Sequence, residues 1–157
     1  MRRTDKEKDS DWALAVFDKA PYITVGMVTT DGQPYSVPLS LGRKDEKTFY
    51  FHCASEGKKI DCIKANPKVF LSAVTKCAPK FEEETQNFTT LYNSAMANGI
   101  AEIVEDRPEK TEALRLICER FLPRHMDKFD AAIARSLDRT TVVKIKLTDS
   151  PIGKQKI

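Results

Sequence analysis

The chain has 157 residues, 41% hydrophobic and 31% charged, which suits one soluble domain over residues 1–157 with a proper core. Its formal net charge of +3 is too small to argue for a nucleic-acid partner, and no apolar run reaches membrane-span length. Met1 to Ser10 lacks an apolar signal core, and Cys53, Cys62, Cys77 and Cys118 form no Cys-x-x-Cys pair, so a cytoplasmic protein with reduced thiols and no metal site is expected.

Asp9 or Ser10 caps a first helix that runs to about Lys19, and Pro21 breaks it. Trp12 on that helix reads as a core anchor. Tyr22–Val28 and Tyr35–Leu41 read as strands, and Asp31-Gly32 between them signals a hairpin. Pro38 offers no ladder donor, so its strand must lie at an edge, be bulged, or face a ligand. The third strand is Thr48–Cys53. A helix follows from Gly57 to about Ala65, stopped by Asn66-Pro67.

Val69–Val74 is the fourth strand. Residues 77–88 read as a polar, acidic, functional or mobile loop. Two strand segments are expected from about Thr90 to Val104, with Gly99 a bulge or a close approach. Asp106 starts a helix, with Glu109 placed for a return contact to its cap, and Ala113, Leu114, Ile117 and Phe121 form one apolar face. Phe129, Ile133 and Leu137 mark a short helix, Thr141–Leu147 alternates as the last strand, and Gly153–Lys156 reads as a frayed basic tail. Six or seven strands with short helices between them imply a mainly β, α+β chain built as an antiparallel barrel.

The most informative stretch is Thr48-Phe-Tyr-Phe-His-Cys-Ala-Ser-Glu-Gly-Lys-Lys-Ile-Asp61. It reads as a strand, a small-residue turn, and a helix that opens on Gly57 with two lysines. A helix start already favours anions, because its first N–H groups are unpaired and its dipole is positive there. Lys58 and Lys59 add two cations. On local grounds they are equally a phosphate anchor and a solvated positive patch.

His52 is one of two histidines and adjoins that start; it is a structural strand residue or a group that binds substrate or relays a proton. Cys53 reads as a small buried filler. Val37-Pro-Leu-Ser40 is an ordinary edge strand, or a strand that presents backbone and Ser40 to a planar ligand. Ser94 is a polar strand position or a ligand donor. His125, in a loop, reads as exposed or structural.

Together, Met1-Arg-Arg3, Gln33-Pro-Tyr-Ser-Val-Pro-Leu-Ser40, Phe49-Tyr-Phe-His-Cys-Ala54, Gly57-Lys-Lys-Ile-Asp61, Asn66-Pro67, Tyr92-Asn-Ser94 and Gly99-Ile-Ala101 carry a resemblance. The chain resembles the pyridoxamine 5'-phosphate oxidase-like flavoproteins, and within them the nitroimidazole-resistance branch. The resemblance implies a split β-barrel that binds FMN, with FAD as the alternative, and a homodimer with flavin at the interface. It puts Lys58 and Lys59 on the FMN phosphate, and His52 and Cys53 on the strand whose end lines the cofactor. It puts Val37, Pro38, Leu39 and Ser40 along the isoalloxazine ring, and Ser94 on the flavin from a later strand.

The implied activity is that of a flavin-dependent reductase of small acceptors such as nitroaromatics, with NADH, NADPH or another donor and His52 as the catalytic group. The rivals are a non-catalytic flavin or haem binder on the same barrel, and an interaction module with no cofactor. Ser36 and Leu41 stand where vitamin B6 oxidases carry basic residues, and Ser150-Pro-Ile-Gly-Lys154 replaces their Trp/Arg-rich end, so oxidation of vitamin B6 is not expected.

Overall fold

A computed structural model describes residues 3–157; Met1 and Arg2, part of the N-terminal motif above, lie outside the described residues. The strands are β1 (Glu7–Lys8), β2 (Ile23–Val28), β3 (Pro34–Leu39), β4 (Gly42–Arg43), β5 (Thr48–Cys53), β6 (Lys68–Glu82), β7 (Asn87–Ile103), β8 (Thr141–Leu147) and β9 (Ile152–Lys156). The helices are α1 (Ser10–Lys19), α2 (Lys58–Ala65), α3 (Arg107–Phe121) and α4 (Phe129–Ser136), with 3-10 segments at Thr4–Lys6, Pro123–Lys128 and Leu137–Arg139. None of the described helices is long and apolar enough to cross a membrane.

The strands form one nine-stranded sheet: seven lie in the order β3-β2-β6-β7-β8-β5-β4, β9 joins β7 beside that path and β1 joins β9, and every pair is antiparallel. This is the expected α+β split barrel. β7 is its spine. It pairs with β6 along one side, and along the other with β9 over Tyr92–Met96 and with β8 over Gly99–Ile103. β3 lies at the sheet edge, bonded only to β2, so Pro34 and Pro38 cost no ladder bond.

Local signals set the starts of α1 and α3. Asp9 Oδ1 accepts from Trp12 N at 2.9 Å, and Asp106 Oδ2 accepts from Glu109 N at 2.8 Å. The return contact expected of Glu109 does not form, because its carboxylate is taken elsewhere. The Asp31-Gly32 hairpin is present, with Gly32 at φ 84 and its N–H bonded to Thr29 O at 2.9 Å.

The structure corrects three expectations. Residues 77–88 are not a loop: the β6–β7 ladder continues from Cys77↔Tyr92 to Glu82↔Asn87, and only Glu83–Gln86 turn. The ladder satisfies the backbone there, and Phe81 packs on Phe88 with ring centroids 4.9 Å apart. Pro79 fits because β2 pairs with β6 only at Phe70–Ser72, leaving the far side of β6 free. The two segments expected over 90–104 are therefore one strand. The bulge falls between Val74 and Lys76, whereas Gly99 is a close approach: a Cβ there would lie 2.7 Å from Ile145 Cγ2.

The C-terminal segment is likewise not frayed. It is β9, bonded to β7 and to β1. Trp12 explains why. Its ring lies flat enough on Gly153 that a Cβ would meet Trp12 Cε3 at 2.4 Å, so the helix anchor covers this strand.

Two apolar clusters hold the fold. The first fills the barrel, with Phe17 edge-on to Phe49 at 5.6 Å. The second lies between the outer face of β5 and β8 and the helices α3 and α4, and contains Tyr50, Leu114, Ile117, Phe129 and Val142. Alternation along β5 sends Phe49 and Phe51 into the barrel and Tyr50 toward the helices, so this strand is buried on both faces.

At the second cluster, the buried Tyr50 hydroxyl donates to Glu109 Oε1 at 2.8 Å, and Lys144 Nζ donates to the same oxygen at 3.2 Å. The Tyr50 hydroxyl, then Lys144, hold the Glu109 carboxyl below the usual carboxylate range. Folding thus favours its ionised form. That contribution is complete above the ordinary carboxylate pKa and is lost as pH falls through the lowered one. Glu109→Gln should therefore flatten the acid limb of a stability curve from urea melts between about pH 3 and 7. An unchanged acid limb would refute this role.

Candidate functional site

α2 differs from its neighbours at its start. Its N-cap is Gly57, at φ 114 and ψ 172, and no side chain caps it. Only glycine holds that φ without strain, and a Cβ there would meet nothing within 4 Å. The N–H groups of Ile60 and Asp61 bond to Gly57 O at 2.9 and 3.1 Å, which leaves those of Lys58 and Lys59 open beside the two ammonium groups, a donor set that suits a phosphate group.

The two lysines diverge. Lys58 is exposed, with its Nζ 4.6 Å from the centre of the Tyr35 ring on β3. Lys59 is partly buried and sits on the Cys53 side. Burial pushes the Cys53 thiol up, and Lys59 opposes that shift only in part, so the thiol stays protonated and is no ready nucleophile.

Alternation divides the other predicted residues. Val37 and Leu39 turn toward the barrel and pack on its core, so only their backbone faces the edge of β3. Pro38 and Ser40 are exposed. Pro38 stands opposite Thr24, Thr24 opposite Ser72, and Ser72 opposite Met96, two residues from Ser94 on the same face of β7. Three strand spacings, about 14 Å, separate Pro38 from Ser94 on this outer face. One planar ring cannot touch both within a single copy.

That outer face is uncovered and apolar. Phe70 is 42% exposed, Val74 48% and Ile152 40%, with Ile100 beside them.

His52 and Cys53 point to opposite faces of β5. Cys53 packs against the barrel core, whereas His52 lines a cavity of about 320 Å³ between α3, the Pro123–Lys128 segment and α4. His125 lines the same cavity. The sequence read His125 as a loop residue, exposed or structural; it is exposed, in the Pro123–Lys128 3-10 segment, and nothing along the chain signalled that it shares a cavity with His52. Among the described residues, no group of three or more His, Cys, Asp or Glu side chains is arranged to hold a metal ion.

The pyridoxamine 5'-phosphate oxidase family model matches residues 9–152, nearly the whole chain. The chain belongs to that family. Solved structures share the fold. A candidate 5-nitroimidazole antibiotic resistance protein from Bacteroides thetaiotaomicron has a TM-score of 0.77 at 23% identity, covering 94% of this chain and 84% of its own. The flavocytochrome Anf3 from Azotobacter vinelandii has a TM-score of 0.85 at 21% identity, covering 100% and 72%. A FAD- and haem-binding protein from Mycobacterium smegmatis has a TM-score of 0.82 at 20% identity, covering 96% and 73%. No curated protein matches significantly.

Proposed function

We propose that the protein binds FMN and reduces small acceptors such as nitroaromatics, as a homodimer with its flavin sites between the two copies. The observation that carries this reading is the start of α2: an uncapped helix opening on a left-handed glycine, with two lysines, beside an edge strand. A terminal phosphate monoester carries nearly two negative charges, which favours FMN over FAD at such a site. The relatives' fold, and the flavin named for two of them, support it.

A bound flavin supplies the redox chemistry, with NADH, NADPH or another donor providing electrons. The chain's own residues do the rest. Lys58, Lys59 and the α2 N–H groups hold the phosphate. The backbone of Val37, Pro38 and Leu39 flanks the ring, Ser40 and Ser94 offer polar contacts, and His52 orients the acceptor or moves a proton to it. The separation of Pro38 from Ser94 and the bare apolar face favour a second copy: Ser94 of one copy then serves the site built on β3 and α2 of the other.

The test is size-exclusion chromatography with light scattering and a full absorbance spectrum, followed by addition of NADH or NADPH and a nitroaromatic. Flavin bands on a dimer peak, bleached by the nicotinamide and restored by the acceptor, are expected. A colourless monomer that takes up no FMN would sink the proposal.

A second reading, a flavin or haem carrier without turnover, is favoured by the two histidines on one cavity. Bound flavin that stays oxidised with every donor would select it.

A further inference from the structure

The start of α2 and the hairpin of β2 and β3 meet at one pair of side chains. Lys58 Nζ lies 4.6 Å from the centre of the Tyr35 ring. Lys58 is the first residue of α2, and helix side chains lean toward the helix N-terminus, so its ammonium stands ahead of the open N–H groups. The ring beneath it therefore lies at the end of α2 where an anion approaches.

The two partners are not equally fixed. Tyr35 stands opposite Met27 in the β2–β3 ladder, is half-buried, and packs against the barrel core. Lys58 is exposed and takes part in none of the described ion pairs. A free lysine chain must be ordered before it can serve a ligand, which weakens binding. The fixed ring orders it beforehand. A ring face also leaves the positive charge and the outward N–H groups available to a ligand, whereas a carboxylate partner would compensate that charge.

Asp31, in the turn of the same hairpin, is the rival partner. The Thr29 hydroxyl holds its carboxyl below the usual range, with Lys58 a lesser contributor. Asp31 thus serves its own turn, and the ring face is what holds the ammonium.

We infer that Tyr35 is a positioning residue for the ligand's phosphate: its ring holds the Lys58 ammonium at the start of α2 and so sets a preference for a phosphorylated flavin. This deepens the proposed function and rests on its phosphate site, not on turnover.

The test is a fluorescence titration of the flavin-free protein with FMN and with riboflavin, which lacks the phosphate. The parent should prefer FMN. Tyr35→Leu should weaken FMN about fourfold, the worth of an exposed cation–π contact, and leave riboflavin unchanged. Tyr35→Phe, which keeps the ring face, should restore FMN affinity. In a Lys58→Ala background Tyr35→Leu should cost nothing further, because the two residues act as one unit. A reading that needs no folded Tyr35→Leu variant comes from NMR with isotopically labelled lysine. The Lys58 ε-methylene signal, identified by its loss in Lys58→Ala, should be shifted upfield by the ring and stay shifted when FMN saturates the site.

Equal weakening of both flavins by Tyr35→Leu would overturn the inference, since it would mark a structural role. So would a full, additive loss in the Lys58→Ala background, a Tyr35→Phe variant as weak as Tyr35→Leu, or a Lys58 signal that is unshifted or leaves the ring when FMN binds. A parent that binds the two flavins equally would remove the phosphate site and this role together. A parent that selects FMN while Tyr35→Leu selects it as well would remove this role alone. Selective FMN binding without turnover would leave Tyr35 in place while the reductase reading falls.

Discussion

Replacing both Lys58 and Lys59 by Ala should abolish flavin retention through purification, and weaken FMN binding about a hundredfold in a fluorescence titration. Each lysine offers a charge-assisted hydrogen bond to a phosphate, and each such contact is worth about tenfold in affinity at a partly exposed site. The α2 N–H groups would remain, so residual weak binding is expected rather than none.

The single variants should differ in character. Lys58 already rests over Tyr35, so Lys58→Ala also removes that contact to the edge strand, whereas Lys59→Ala leaves it intact. Neither lysine supports the apolar core, so the melting temperature of the flavin-free protein should barely move. An FMN dissociation constant within about threefold of the parent in the double variant would refute the phosphate site.

Arg120→Met should be the most damaging substitution outside the core, costing about 3 kcal/mol and lowering the melting temperature by roughly 6–12 °C. The partly buried Arg120 guanidinium donates to Leu41 O and Phe17 O at 2.6 Å each and to Ala20 O at 2.8 Å. Phe17 O has a particular need. Its helical partner would be the N–H of Pro21, which proline lacks. Arg120 supplies the missing donor and places a cation at the C-terminal end of α1, where the helix dipole favours one.

Burial lowers the tendency of Arg120 to stay charged, though the nearby Asp18 opposes that. Met keeps the apolar stem and removes every donor, so the variant isolates the hydrogen bonds. Arg120→Lys should rescue only part of the loss, because one ammonium cannot span three carbonyls held by a planar fork. A loss below about 0.5 kcal/mol in urea melts of Arg120→Met would show that water replaces these contacts freely.

Much of the fold was legible because its signals are local. Asp9 and Asp106 cap helices through bonds three residues away, Asp31-Gly32 turns a hairpin within five, and Pro38 excludes a central strand by itself. The start of α2 was legible for the same reason: Gly57, Lys58 and Lys59 are consecutive.

The misreadings have one cause. Whether 77–88 is a loop or a ladder depends on Tyr92, Leu91 and Phe88 lying opposite, and whether 153–156 is a tail or a strand depends on β7 and Trp12. Polar composition signals exposure, and an exposed two-stranded ladder has the same composition as a loop.

By itself the sequence determined the main helices and the apolar strands, the antiparallel α+β class and the cations at one helix start, since each follows from neighbours along the chain. Only the tertiary structure decided that β5 is buried on both faces, so that alternation parts His52 from Cys53. It alone brought His125 to the same cavity, placed Arg120 against a carbonyl 103 positions away, and set Pro38 and Ser94 three strands apart. These follow from packing between distant segments, and no periodicity along the chain encodes which faces will meet.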